Sequence, residues 1–494
     1  MSSINIAPRP IISRIKSKFV PYTTLLAGLG VGFLIGFLVV TGNWIFAVGF
    51  VFALPVFILL HKYPWLAVLI WLFLAPMFAI TTDSASRQFY WVIHRALPPA
   101  TIMIMLVASA LGINKRRFPK LGFPELMMAG YVLVSLLSIL SLNDEPKATF
   151  YEFYDRVISP MCLYLIIRLW SPSADDLRRL APVVFFLLVS QSLIGLMAWY
   201  VPHLLPSAWI DEELRTTGSL GSYGAYAATM LFAGLFLLQS ALNRQAGWLR
   251  LLYLLSFAVA GFGVFMSFSR GAWAAGALVL VGLLLIDQKR MIVVGLVVVP
   301  LIYFLAQGPL SSQVDWASER LYSERSEQSA LVRLPVIQAS LKMLLEKPFF
   351  GWGYENFNRY DWQFYQPVQG VAAPVKDISS HNFYLTLLAE QGIIGTLLFL
   401  FPFFWWLARS LKEMRTLPAE GFWSKRSLIL SWLFIFAYII INMFHNMRVV
   451  FGLSLWWVGL ALIANAVERP REVESSTTPS PFSLRPRKVV RFTR

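Results

Sequence analysis

Along the chain, long apolar runs alternate with short polar or charged segments. A helix that crosses a bilayer needs about 20 mostly apolar residues. Fourteen runs approach that length, near 20–40, 44–60, 64–80, 97–113, 123–142, 157–170, 180–201, 222–242, 249–268, 271–286, 291–307, 382–408, 427–446 and 449–466. The pairs 20–40/44–60 and 249–268/271–286 are separated by only a few residues, so each reads as a tight helical hairpin. The pattern predicts an all-α polytopic membrane protein of about 12–14 transmembrane helices with one large outer helical loop. Its expected parts are a cytoplasmic N-terminus (1–19), a helix bundle (20–307), the outer loop (308–381), C-terminal spans (382–467) and a tail (468–494). No internal period of 20–50 residues is evident, which argues against a repeat architecture.

Composition agrees with this pattern. Of 494 residues, 57% are hydrophobic and 14% charged, against about 25% charged in soluble proteins. Mean hydropathy is +0.63. Cys162 is the single cysteine, which excludes an intramolecular disulfide and a multi-thiolate metal site. Arg9, Arg14, Lys16 and Lys18 precede the first run. That run is longer than a signal-peptide core and no small-residue cleavage site follows it, so it reads as a retained first span.

The net charge of +16 first suggests nucleic acid, but its distribution points to topology. With fourteen spans and both termini in the cytoplasm, the inner segments hold 28 of the 42 Lys and Arg residues. Seven of the 14 outer ones lie in the long loop, and long loops cross regardless of charge. The basic tail (Arg485, Arg487, Lys488, Arg491, Arg494) is rich in Pro, Ser and Thr, reads as disordered, and suits an anionic inner leaflet. No nucleic-acid partner is expected.

The outer segment 308–381 exceeds an ordinary loop. Leu331, Leu334, Ile337, Leu341, Leu344 and Leu345 have helical spacing, with Pro335 in the first turn or at a kink. PFFGWGYENF (348–357) reads as a packed aromatic turn. The aromatics here suit interfacial anchoring or sugar stacking.

Candidate chemistry gathers at the outer membrane edge. Arg270, in SFSRGAW, lies in the tightest outer hairpin, and a charge at that depth usually faces a cavity. Arg215 precedes a Gly-rich stretch, RTTGSLGS. That stretch is either a backbone cradle for phosphate or a loop whose Arg pairs with Asp211, Glu212 or Glu213. Arg333 sits in the outer-loop helix, where an Arg is usually solvated or paired. His381 stands at the mouth of a span as a possible proton acceptor, or as a buried ring bonded to backbone. Glu390 lies about two and a half turns deeper, where it either serves the site or neutralises an Arg. His445 and Arg448 form a second, weaker pair at the same edge. There is no Walker A, HExxH, CxxC or GxSxG sequence, and no Asp-x-Asp in an outer loop. A phosphorylated donor would therefore depend on Arg for neutralisation.

Four stretches in order carry a family resemblance. His381-Asn382, nine residues, then Gly392-Ile393-Ile394-Gly395 resembles the His-Asn-x9-Gly-x-x-Gly signature of the O-antigen ligase and polymerase superfamily. PFFGWGYENF, SFSRGAW and RTTGSLGS are similar to three further motifs of that family. The resemblance spans roughly 120–466. Ser222-Tyr223-Gly224 stands where the family often has Pro-Asn, and Pro335 interrupts a helix the family usually keeps continuous.

The resemblance implies a GT-C-like, metal-independent, inverting glycosyltransferase without cofactor in the bacterial inner membrane. Its donor would be an undecaprenyl-diphosphate-linked glycan, and its acceptor a hydroxyl of a glycan, lipid A-core or other molecule. Arg270, Arg333 and Arg215 would bind the diphosphate and His381 would take the acceptor proton, with Asn382 and Glu390 at the substrate site. A polymerase extending a lipid-linked glycan is the alternative within the class. A lipid-linked glycan flippase or small-anion transporter is the rival outside it, disfavoured by the absence of a repeat and of charges through the helix depths.

Overall fold

The computed structural model describes residues 29–30, 32–42, 55–80, 84–113, 118–211, 215–286, 311–322, 331, 333–366, 380–446 and 448–468. The N-terminal segment, the expected span at 291–307 and the basic tail lie outside these residues, wholly or in large part.

The described residues form helices and no strand. In chain order the principal ones are α1 (Trp65–Leu74), α2 (Ser86–Ala110), α3 (Phe123–Leu142), α4 (Ser159–Trp170), α5 (Ala174–Tyr200), α6 (Tyr223–Leu242), α7 (Trp248–Met266) and α8 (Arg270–Ile286). They continue with α9 (Ser311–Tyr322), α10 (Arg333–Glu346), α11 (Phe383–Glu413), α12 (Lys425–Phe444) and α13 (Val450–Glu468). Among the described residues, eight helices are long and apolar enough to cross a membrane, or nine if a pair bent by 112° at residues 63–64 is one span. The protein is an all-α polytopic membrane protein.

Two spans differ from the sequence expectation. The run at 97–113 starts eleven residues early, at Ser86, because the polar stretch before it continues as a π-helical turn over Trp91–Ala96. The run at 157–170 likewise continues a helix that begins at Pro146 and passes through a second π-helical turn, Tyr154–Ile158. Apolarity marks where a helix meets lipid, whereas backbone bonding carries it past that edge.

Two helices form the centre. α13 is almost wholly enclosed and α6 nearly so. α13 packs on α4 and α12, and α6 packs on α7, α5 and α12. Small residues permit these close approaches: a Cβ on Gly234 of α6 would lie 2.7 Å from the Ala260 Cβ of α7. Leu133, Leu137, Leu140 and Leu255 project outward, as expected of side chains facing lipid tails.

α11 is broken. At Gly392 the backbone turns to φ 61°, ψ −167°, a conformation open essentially to glycine alone. The break frees helix amides and carbonyls, which inside a membrane protein must be bonded again. The 348–353 turn does so with its own backbone. Ile393 N–H donates to Pro348 O (2.8 Å) and Ile394 N–H to Phe349 O (3.1 Å). In return, Trp352 N–H donates to Ala389 O (3.0 Å) and Gly353 N–H to Glu390 O (2.8 Å). The aromatic turn and the Gly-x-x-Gly segment are therefore two halves of one joint.

Candidate functional site

The site is built where α6, α8, α10, α11 and α12 end or begin. The segment 216–220, which follows Arg215, is buried and densely bonded. Gln191 of α5 donates to Ser219 Oγ (2.7 Å) and accepts from Ser219 N–H (3.1 Å), and Ser219 Oγ–H donates to Pro76 O (2.7 Å). Thr216 N–H donates to Met266 O at the end of α7 (3.3 Å). This is a packed mount, with the Ser219 amide already used. Its product is the placement of Arg215, whose guanidinium lies 4.3 Å from the Tyr223 ring centroid.

The α7–α8 hairpin turns through Phe268 at φ 46°. Ser269 Oγ accepts from Ala272 N–H (3.3 Å), so Ser269 caps α8 and Arg270 is that helix's first residue. The free amides of a helix start favour an anion there. Arg333 is the first residue of the described stretch of α10, two residues before Pro335. His381 holds a left-handed φ of 50° just before α11. Asn382 caps that helix, its Oδ1 accepting from Tyr384 N–H (3.0 Å) and Leu385 N–H (3.1 Å).

Electrostatics unites these residues. Arg333 Nε is buried without a hydrogen-bond partner among the described residues. Burial first, then the charges of Arg270 and Arg215, lower its affinity for its proton. The His381 pKa falls to about 4, first by burial and then through Arg333 and Arg215. The His445 pKa falls to about 3, by burial and then through Arg333, His381 and Arg215. Arg215, Arg270, Arg333, His381 and His445 are all only partly exposed. They form a cluster of three arginines and two histidines, with both imidazoles held below their ordinary pKa.

Glu390 stands elsewhere. It is 1% exposed, with one oxygen accepting from Arg448 (2.5 Å) and the other from Phe357 N–H (3.0 Å). Arg448 also meets Glu355 (2.5 Å), which in turn meets Arg156 of the Tyr154–Ile158 turn (2.5 Å). Arg156 also pairs with Glu152 (2.9 Å). This ion-pair chain pins the aromatic turn to the bundle. Of the residues singled out by sequence, the structure thus brings Arg215, Arg270, Arg333 and His381 together, uses Asn382 as a cap, and commits Glu390 to the pinning chain. Among the described residues no group of three His, Cys, Asp or Glu side chains is disposed to hold a metal ion.

Residues 254–400 match the family model described as O-antigen ligase. This stretch is similar to that family. No curated protein matches the chain. The family stretch holds the α7–α8 hairpin, Arg270, Arg333, the aromatic turn, His381 and the broken α11. Arg215, His445 and Arg448 lie outside it and join its residues only through the fold. His445, a weaker candidate by sequence, contacts the residue before Arg270 through the fold. Its signal was a histidine at the same membrane edge as Arg270, but linear spacing gave it no partner.

Proposed function

We propose that the protein transfers a glycan from undecaprenyl diphosphate to an acceptor hydroxyl at the outer face of the bacterial cytoplasmic membrane, in the manner of an O-antigen ligase. The observation that carries this reading is the meeting of three arginines with a neutral histidine at the loop end of a membrane bundle. A diphosphate leaving group gains negative charge as the glycosidic bond breaks. Fixed guanidinium groups aimed at that charge stabilise the transition state more than the ground state. Arg270 and Arg333 hold the diphosphate and Arg215 assists. Neutral His381 accepts the acceptor's proton as its oxygen attacks the anomeric carbon from the opposite face, which inverts the configuration. Arginine charge supplies the neutralisation, so transfer is expected to persist in chelator.

The test is in vitro transfer by the purified chain, read as undecaprenyl diphosphate release together with a new glycoside. Arg270→Ala, Arg333→Ala and His381→Ala are each expected to lose on the order of 100-fold or more in rate. Full transfer by all three variants at normal membrane levels overturns the reading, and loss of transfer in chelator overturns its metal-free part. An acceptor that is itself lipid-linked glycan would identify a polymerase.

A further inference from the structure

We propose that His445 is a positioning residue of this site, which through Ser269 sets the Arg270 turn and the His381 loop in register. The inference rests on the transferase reading above and adds a residue outside the family stretch.

His445 touches the segments that carry Arg270, His381 and Arg215. Its Nε2 lies 2.8 Å from Ser269 Oγ, the atom that caps the helix opened by Arg270. Its carbonyl accepts from Phe383 N–H at 3.2 Å, two residues after His381. Its ring meets Tyr223 edge-on at 4.7 Å, and Tyr223 carries the Arg215 guanidinium on its face. One residue therefore joins the starts of α6, α8 and α11 from the end of α12.

The surroundings are shaped for this contact. A Cβ on Gly224 would lie 3.3 Å from the His445 ring. A Cβ on Gly271 would lie 2.8 Å from the Phe444 Cβ. Glycine at both positions lets the end of α12 approach α6 and α8 closely enough for the bond to form. The bond also has a favoured sense. Ser269 Oγ already accepts from Ala272 N–H, which leaves its proton to donate to Nε2 and places the imidazole proton on Nδ1. A protonated ring would add a positive charge beside Arg333 and Arg215, and the depressed His445 pKa agrees with a neutral one.

The consequence is geometric. His381 and Arg270 sit on different helices and must act on opposite ends of one glycosidic bond. Misplacement by about 1 Å costs on the order of 100-fold. A bond between the mounts of the two groups controls that distance without touching substrate.

The test uses the full chain in lipid nanodiscs with undecaprenyl-diphosphate-linked glycan and acceptor prepared from membranes of the native cell. His445→Ala and Ser269→Ala are each expected to lower kcat on the order of 100-fold, with donor KM changed by no more than about threefold. The double variant is expected to be no worse than either single one, because the two residues act as a unit. His445→Gln, whose amide reaches near the Nε2 position, is expected to recover most of the rate. Thermal unfolding of each variant separates positioning from folding. Wild-type kcat in His445→Ala overturns the proposal, as do losses that multiply in the double variant. A rate loss that follows unfolding temperature and is not rescued by Gln overturns it too. If His445→Ala is silent while His381→Ala and Arg333→Ala are inactive, only the positioning role falls. If His381→Ala and Arg333→Ala are fully active, the transferase reading falls and takes this proposal with it.

Discussion

His445 and Arg448 are three residues apart and serve opposite kinds of charge cluster. Around Arg448, two arginines and three carboxylates alternate: Glu390, Arg448, Glu355, Arg156, Glu152. Around His445, the charges that act on the ring belong to Arg333 and Arg215. The first cluster pairs its opposite charges within the protein. In the second, the charges of Arg270 and Arg215 oppose the protonated form of Arg333. Glu355 shows the contrast in its ionisation: burial raises its pKa, but Arg448 and Arg156 outweigh that and hold it below the usual carboxylate range. Paired charge pins the backbone, and on the proposed reading the arginine cluster receives an anion.

Breaking the paired cluster should produce the largest effect on stability. Arg448→Ala would leave Glu390 (side chain 2% exposed) and Glu355 without their shared partner. Removing one partner of a buried pair costs about 3–5 kcal/mol. The expected outcome is a clear fall in unfolding temperature, partly recovered in Arg448→Met/Glu390→Gln. An unchanged unfolding temperature would show that the chain of ion pairs does not pin the turn.

The opposite profile is expected in the arginine cluster. Arg333→Ala removes a desolvated cation repelled by Arg270 and Arg215, so stability should hold or rise slightly. Transfer should fall about 100- to 1000-fold, as for loss of a charge-stabilising donor. Comparing thermal unfolding with transfer rate for both variants decides the distinction. Equal destabilisation by the two would erase it.

The joint beneath both clusters gives a smaller effect. A Cβ at Gly392 would lie 2.5 Å from the Phe349 carbonyl carbon and 2.7 Å from Gly351 N, at φ +61°. Gly392→Ala should therefore cost about 1–3 kcal/mol, read as a lower unfolding temperature. It should also slow transfer, because α11 carries His381 at its start. Gly421→Ala, also at positive φ (+101°) but in open space, controls for strain alone.

Much of this was legible in the chain. Apolar runs located most spans, and the tight 249–268/271–286 hairpin placed Arg270 at an edge. Order along the chain put Arg215, Arg270, Arg333 and His381 among the candidates. The ion pair of Glu390 was not legible because helical spacing from His381 tells depth only. Its partner Arg448 is 58 residues on, and the loop backbone it caps is 33 residues back. The same holds for the Ser269–His445 contact, which spans 176 residues. The break at Gly392 was visible only as two glycines, since a helix interruption inside an apolar run leaves its periodicity nearly intact.

Proton affinity provides the finest test. The His381 pKa is depressed to about 4, first by burial and then by Arg333 and Arg215. The acid limb of kcat/KM reports the free enzyme, so it should lie near that value. On the proposed reading, bound donor would bring the negative charge of a diphosphate among the arginines. That charge favours protonated His381 and raises its pKa, so the acid limb of kcat should lie at higher pH. Arg333→Gln removes a positive neighbour and should raise the limb of kcat/KM in the same direction. One pH unit corresponds to about 1.4 kcal/mol, so the shifts are small beside the losses above, but their sign is specific. A kcat limb at or below that of kcat/KM would mean that the anion does not sit where His381 feels it. The arginine cluster would then not be the place where the diphosphate binds.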